Sequence, residues 1–244
     1  MRNNEILLYD LLQRPASFDF VTCLATSVAM GIKHVRFVMG GWKKKNYSDP
    51  EERFRSIVEP AVALFGLTYS IGEPEGLPIS HFFNAAMEVH SKTGKNGKII
   101  TSCVAQDYIT ITLRKSRNPE RDSNESEWLK FAARHKTVVI RDYDERPITL
   151  EDRMQLYANA RMNIMVINGP LTLCIHSDAP YISMRTIGCE RSGSTSPAFM
   201  RQIGITPGFQ FPWARDRQRL SYMQDTAENI EAEYVAVMEE RMAA

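Results

Sequence analysis

Short apolar runs alternate with stretches whose apolar residues recur every three to four positions, a rhythm that predicts strands separated by helices. In the first half, residues 5–11 (EILLYDL) read as a buried strand and residues 18–31 as a helix ended by Gly31. Residues 34–39 (HVRFVM) form the next strand, followed by Gly40-Gly41. Asp49-Pro50-Glu51-Glu52 then opens a helix over 50–65 with a cap, a proline at the first helical position and acids for the dipole. Gly66 stops it. Residues 67–71 give a third strand, 79–92 a helix, and 98–103 (KIITSC) a closing strand.

The second half repeats the rhythm without repeating the sequence. Residues 108–113 (YITITL) are β-branched and strand-like, and Ser123-Asn124-Glu125-Ser126-Glu127 starts a helix running to about His135. Residues 137–140 form a strand. Leu150, Met154, Tyr157 and Ala158 share one helical face, with Thr149 as its cap. Residues 162–167 are almost unbroken apolar, as a central parallel strand covered on both faces must be. A helix restarts at 170–176 and a last strand covers 180–184. Residues 186–224 read as irregular, and Asp225-Thr226-Ala227-Glu228 as the start of a final helix.

Strands alternating with helices imply right-handed crossovers and parallel sheets, so the expected class is α/β with two Rossmann-like halves. The expected divisions are 1–105, 106–224 and a C-terminal helix at 225–244. The helix face of Ile230, Tyr234, Val237 and Met238 needs a partner, expected to be the first half. With 43% hydrophobic residues and a net charge of +1, no overall field draws the chain to nucleic acid or an anionic membrane. Cys23, Cys103, Cys174 and Cys189 are scattered without CxxC spacing, which suits a reducing, cytoplasmic setting. No signal-peptide pattern and no membrane-spanning run is expected, and the five histidines have no metal-ligand spacing. No cofactor is implied.

Ligands of open α/β sheets bind beyond the carboxyl ends of strands. Asn168-Gly169-Pro170-Leu171-Thr172 stands at such a place, where backbone N–H groups and the Thr172 hydroxyl would face a phosphate. The same glycine and proline would equally serve a tight turn with no ligand. Arg114 and Lys115 end the second half's first strand and would neutralise an anion or form a solvated basic loop. Asp142, after the next strand, would touch a base or ribose or belong to a wet acidic loop. In the first half, Trp42 lies among lysines after a strand and would stack on a sugar, on a nucleic-acid base, or simply decorate a soluble tip.

The run from Met165 to Cys174 (MVINGPLTLC), with the helix before it, resembles the sugar-nucleotide motif of GT-B glycosyltransferases, nearest to the heptosyltransferase-like group. Thr172 stands where that group has a histidine. The resemblance covers residues 108–185 and is architectural over the first half. It implies a metal-independent glycosyltransferase. Arg114, Lys115 and the 168–172 turn would hold the donor diphosphate, and the first half would bind an acceptor of unspecified kind. Asp19 is the first choice of base to deprotonate that acceptor, then His81, then Asp10; each also has an ordinary structural role. The alternatives are a nucleotide-sugar epimerase and a non-catalytic module binding a nucleotide or a partner. The sequence does not fix the oligomeric state.

Overall fold

The computed structural model describes all residues except 1–4, 12, 15, 40–49, 117, 143–147, 189–194 and 244. Trp42 and Cys189 therefore lie outside the described residues. The chain divides into two compact units, residues 1–101 with 149–151, and residues 102–148 with 152–244.

The first unit runs β1 (Ile6–Asp10), α1 (Asp19–Ala29), β2 (His34–Val38) and α2 (Pro50–Arg53). A π-helical stretch, Phe54–Val58, joins α2 to α3 (Glu59–Leu64). Pro60 has no N–H to offer the carbonyl four residues back, so the ladder re-registers there. β3 (Thr68–Ile71), the two-residue β4 (Leu77–Pro78) and α4 (Phe83–Thr93) follow. The sheet is parallel, in the order β3-β2-β1-β4. Tyr9, Phe20, Phe37 and Phe54 pack edge-on or tilted at its core, with centroids 4.5–6.2 Å apart.

One expectation fails here. Residues 98–103 pair with no strand; they cross as an irregular strap in which Ile99 is buried and Ile100 is 71% exposed. The Ile100 N–H bonds the Leu64 carbonyl at 2.8 Å instead of a sheet edge. The fourth strand is β4, too short to leave a pattern, lying beside Leu7 and Leu8 of β1.

The second unit carries β5 (Ile109–Leu113), a 3₁₀ turn (Pro119–Arg121), α5 (Glu125–Ala132), β6 (Thr137–Arg141) and α6 (Leu150–Asn159). Then come β7 (Met162–Val166), α7 (Leu171–Ile175) and β8 (Tyr181–Met184). The segment read as irregular contains α8 (Pro197–Gln202), capped by the Ser196 hydroxyl, and β9 (Gln218–Leu220). The chain closes with α9 (Ala227–Ala243). This sheet is also parallel, in the order β6-β5-β7-β8-β9.

Its two faces differ in chemistry. One presents Ile109, Ile111, Leu113, Ile164, Val166 and Ile182, packed with Trp128 and Phe131 of α5 and with Ile230, Tyr234 and Val237 of α9. The final helix thus covers its own unit's sheet and not the first half, because that apolar face has the area its side chains must bury against. Thr226, not Asp225, caps it: its hydroxyl accepts the Asn229 N–H at 3.3 Å. The other face of the sheet carries buried polar pairs, including Thr110 Oγ1 to Asn163 Oδ1 at 2.5 Å and Thr112 Oγ1 with the Tyr157 hydroxyl at 2.7 Å. Among the described residues, no helix is long and apolar enough to cross a membrane.

Candidate functional site

In the second unit the strand order reverses between β5 and β7, so a crevice opens beyond their carboxyl ends. Three strand ends deliver side chains there. Arg114 follows β5, and its Nη1 donates to the Ile167 carbonyl at 2.7 Å. Asp142 follows β6, with its N–H on the Leu113 carbonyl at 3.1 Å. Asn168 follows β7, and its amide N–H donates to Asp142 Oδ2 at 3.4 Å. The other Asp142 oxygen accepts from Arg153 Nη1 at 2.8 Å.

Asp142 is therefore tied to a buried cation, its own side chain 19% exposed. Burial pushes its carboxyl above the usual range, and the Arg153 and Arg114 guanidiniums pull it back. Burial also brings Arg114 down to about 10, with the like charge of Arg121 pressing the same way and that of Arg185 adding a little. Lys115, next to Arg114, is exposed.

The turn after β7 is built differently from the expected phosphate cradle. Asn168 Oδ1 accepts the Leu171 N–H at 3.0 Å, and the Gly169 carbonyl accepts the Thr172 N–H at 3.1 Å and its hydroxyl at 2.8 Å. The donors expected to face a phosphate are closed on the turn itself, and Pro170, Leu171 and Thr172 are buried. The physical reason is the length of α7: at the start of a five-residue helix, the Leu171, Thr172 and Leu173 N–H groups each find a partner three residues back. Asn168 is the part of the motif that reaches the patch, and Gly169 is half-buried beside it.

Sequence reading missed three arginines of this region. Arg153 sits on α6 among polar positions, and only the fold shows its side chain to be 6% exposed. Arg121 belongs to the 3₁₀ turn. Arg185 follows β8 with a left-handed backbone, φ 49°, uncommon for any residue but glycine. Its Nη2 donates to the Asp122 carbonyl at 2.6 Å and its Nη1 lies 3.7 Å from Asp225.

The first unit has its own reversal, between β1 and β4. Arg14, just past β1, donates to the Ile79 carbonyl, and its guanidinium lies over the Tyr9 ring at 5.6 Å. The Asp10 carbonyl closes the turn by accepting the Arg14 N–H at 2.9 Å. Asp19 opens α1 and accepts from the Ser17 hydroxyl at 3.1 Å. His81, three residues past β4, is half-buried. Burial lowers its pKa, Asp19 counteracts and Arg14 adds to the lowering. Cys23 is also on the Ile79 carbonyl, at 3.4 Å, but burial lifts its thiol to about 12, where it is no nucleophile.

Parallel sheets with helices, and charged side chains gathered at the points of strand reversal, define an α/β protein of two Rossmann-like units. The same fold is found in TibC, a bacterial iron-containing dodecameric glycosyltransferase from enterotoxigenic E. coli H10407. The two align with a TM-score of 0.53 and 11% identity, over 97% of this chain and 76% of TibC. No protein-family profile matches the chain, and no curated protein sequence does.

Proposed function

We propose that the protein is a glycosyltransferase that binds a nucleotide-sugar through its second unit and passes the sugar to an acceptor bound by the first. The observation that carries this is the patch at the β5–β7 reversal, where Asn168 donates to Asp142, Arg153 holds the other Asp142 oxygen, and Arg114 donates to the Ile167 carbonyl beside Asn168. A fold shared with a glycosyltransferase supports the same reading.

In the proposed reaction an acceptor hydroxyl attacks the anomeric carbon. The bond from that carbon to the diphosphate oxygen breaks, and its electron pair leaves on the diphosphate. Arg114 and Lys115 offset that developing charge, and a preorganised cation costs no reorganisation at that moment. Asn168, its amide oriented by Asp142 and the Leu171 N–H, contacts phosphate or sugar. His81 takes the acceptor proton; its lowered pKa keeps it neutral at pH 7, and Asp19 stabilises the imidazolium that forms. TibC contains iron. Among the described residues here no three His, Cys, Asp or Glu side chains gather to hold a metal.

Calorimetry against a panel of nucleoside-diphosphate sugars tests the donor, and release of nucleoside diphosphate in the presence of candidate acceptors tests transfer. Absence of heat with every donor overturns the proposal. Binding without turnover favours the second reading, a non-catalytic module, which the self-closed turn at Asn168–Thr172 supports.

A further inference from the structure

β9 is the last strand of the second sheet and is bonded on one side to β8. The Tyr181 N–H bonds the Arg217 carbonyl at 2.9 Å, and the Ser221 N–H bonds the Ser183 carbonyl at 2.8 Å, so the odd-numbered residues face β8. Gln218 and Leu220 therefore turn their backbone groups outward, to the free side of the strand. An edge of this kind is a template for another strand, and proteins close it by specific devices.

Here the outward groups are met by the chain itself. The Gln218 N–H donates to the Arg215 carbonyl at 2.8 Å. Leu220 is met by the side-chain amide of Gln210: its Oε1 accepts the Leu220 N–H at 2.7 Å, and its Nε2 donates to the Leu220 carbonyl at 2.8 Å. One primary amide thus makes both bonds that a residue of a neighbouring antiparallel strand would make. The preceding sequence is built to deliver it. Thr206-Pro207-Gly208-Phe209 closes a turn, with the Phe209 N–H on the Thr206 carbonyl at 2.9 Å and Gly208 at φ 84°. The Tyr222 hydroxyl donates to the Phe209 carbonyl at 3.0 Å and Phe211 is buried, so Gln210 is fixed on both sides. Past Gln210 the edge borders an open trough lined by Phe211, Ala214, Arg215 and Arg219.

We propose that Gln210 is an edge guard: its amide stands in for a strand and keeps two copies of the chain from pairing through β9. Self-pairing is the alternative that the geometry offers. About a two-fold axis, an antiparallel pair centred on Leu220 has the two Leu220 residues exchange N–H and carbonyl bonds. Those are the two groups that Gln210 occupies, so the guard and a second copy exclude each other. The strand's own side chains give little protection. Leu220 is only 2% exposed, and the charge of Arg219 is offset by Glu233 at 3.6 Å and by Glu240 at 2.5 Å. No group of the proposed donor patch takes part.

The test compares the full wild-type chain with Gln210→Ala and Gln210→Glu, by sedimentation velocity over a range of concentrations and by hydrogen exchange at the Leu220 amide. In dilute Gln210→Ala, Leu220 is expected to exchange about tenfold faster than in wild type, the factor that one lost hydrogen bond represents. On concentration this variant is expected to form a species of twice the wild-type mass, with Leu220 exchange slowing again as the second copy takes the place of the amide. Gln210→Glu keeps an acceptor for the Leu220 N–H and would set two carboxylates against each other across the axis, so it is expected to keep the wild-type mass. Gln210 is exposed, so these substitutions leave the core intact. Gly208→Ala strains the turn and leaves the amide in place, and it should move both readouts in the direction of Gln210→Ala. Gln210→Ala at the wild-type mass at every concentration overturns the guard, as does unchanged Leu220 exchange. Association that leaves Leu220 exchanging fast places the contact elsewhere and overturns it too.

Discussion

Arg153 donates to Asp142 at 2.8 Å from a side chain only 6% exposed, and the same guanidinium lies 3.3 Å from the Tyr157 hydroxyl. The Tyr157 hydroxyl continues to Thr112 on β5, and Asp142 continues to Asn168 after β7. A polar chain thus runs from the interior of the sheet to the surface of the proposed donor site. Removing one partner of such a pair leaves a buried charge without compensation. Arg153→Met is expected to lower unfolding free energy by about 3–5 kcal/mol, and the double variant Arg153→Met/Asp142→Leu to regain much of it. Urea denaturation of the three proteins measures this. A double variant no more stable than the single one would show that the pair is not acting as a unit.

Arg114 carries the proposed leaving-group charge. Arg114→Met is expected to weaken nucleoside diphosphate about tenfold or more by calorimetry, with Arg114→Lys intermediate because it keeps a charge but not the planar fork. The pH dependence follows from burial, which holds the guanidinium at about 10. A bound anion favours the charged form, so affinity should be flat near neutrality and fall as pH rises through about 10. Affinity that is unchanged in Arg114→Met removes this residue from the site.

Much of this architecture was legible in the chain, and the misses have identifiable causes. The almost unbroken apolar run of β7 reports burial on both faces and the β-branched residues of β5 report a strand, which local chemistry does express. β4, at two residues, is too short to carry any period, whereas 98–103 looks like a strand because its apolar residues serve a strap. The period of α9 shows that a face must be covered and not by what; Ile230 and Val237 found the sheet of their own unit. Arg114 and Asn168 were legible because strand ends are. Arg153 and Arg185 were not, since a buried arginine on a helix and a solvated one have the same sequence, and the partners Asp142 and Asp225 are distant in the chain.

His81 and Asp19 make a separable prediction in the first unit. His81→Gln is expected to lower turnover by about 10²–10⁴-fold with donor binding by the second unit unchanged. Because burial holds the His81 pKa below its ordinary 6.5, the acidic limb of the rate profile should lie below that of an ordinary histidine. Asp19→Asn should reduce turnover less and move that acidic limb further down, since Asp19 favours the protonated ring. Donor affinity that falls with turnover would place His81 in binding and not in proton transfer.

Asp225 joins distant parts of the second unit. Its Oδ2 accepts the Asn124 N–H at 2.9 Å, at the start of α5, and the Trp128 indole N–H at 2.8 Å. Asp225→Ala would leave the buried Trp128 indole N–H and the part-buried Asn124 N–H unpaired and is expected to cost about 1–4 kcal/mol. Asp225→Asn retains one acceptor oxygen and should lose less. Trp128 is fully buried, so its fluorescence maximum reports the change: a red shift in Asp225→Ala under native conditions would mark a loosened α5–α9 junction. Equal stability of Asp225→Ala and wild type would show that these bonds are redundant.

His176 sets an acid limit on the fold. It is fully buried, its ring stacked with Trp213 at a centroid separation of 5.8 Å, and burial drives its pKa down to about 3. In the unfolded chain the same ring titrates near 6.5. Between these values the unfolded state binds a proton that the folded state refuses, so stability falls as pH drops below about 6.5 and stops falling from this source near pH 3. The slope from one such group is roughly 1.4 kcal/mol per pH unit. His34 and His81 are also lowered and add to the same limb, so the decisive quantity is the difference between wild type and His176→Leu. That substitution removes the titration while keeping an apolar filler beside Trp213. Unfolding free energies from urea titrations at pH 4.5–7.5 should fall less steeply toward acid for the variant, by about that slope; parallel curves would mean that His176 is protonated inside the folded protein.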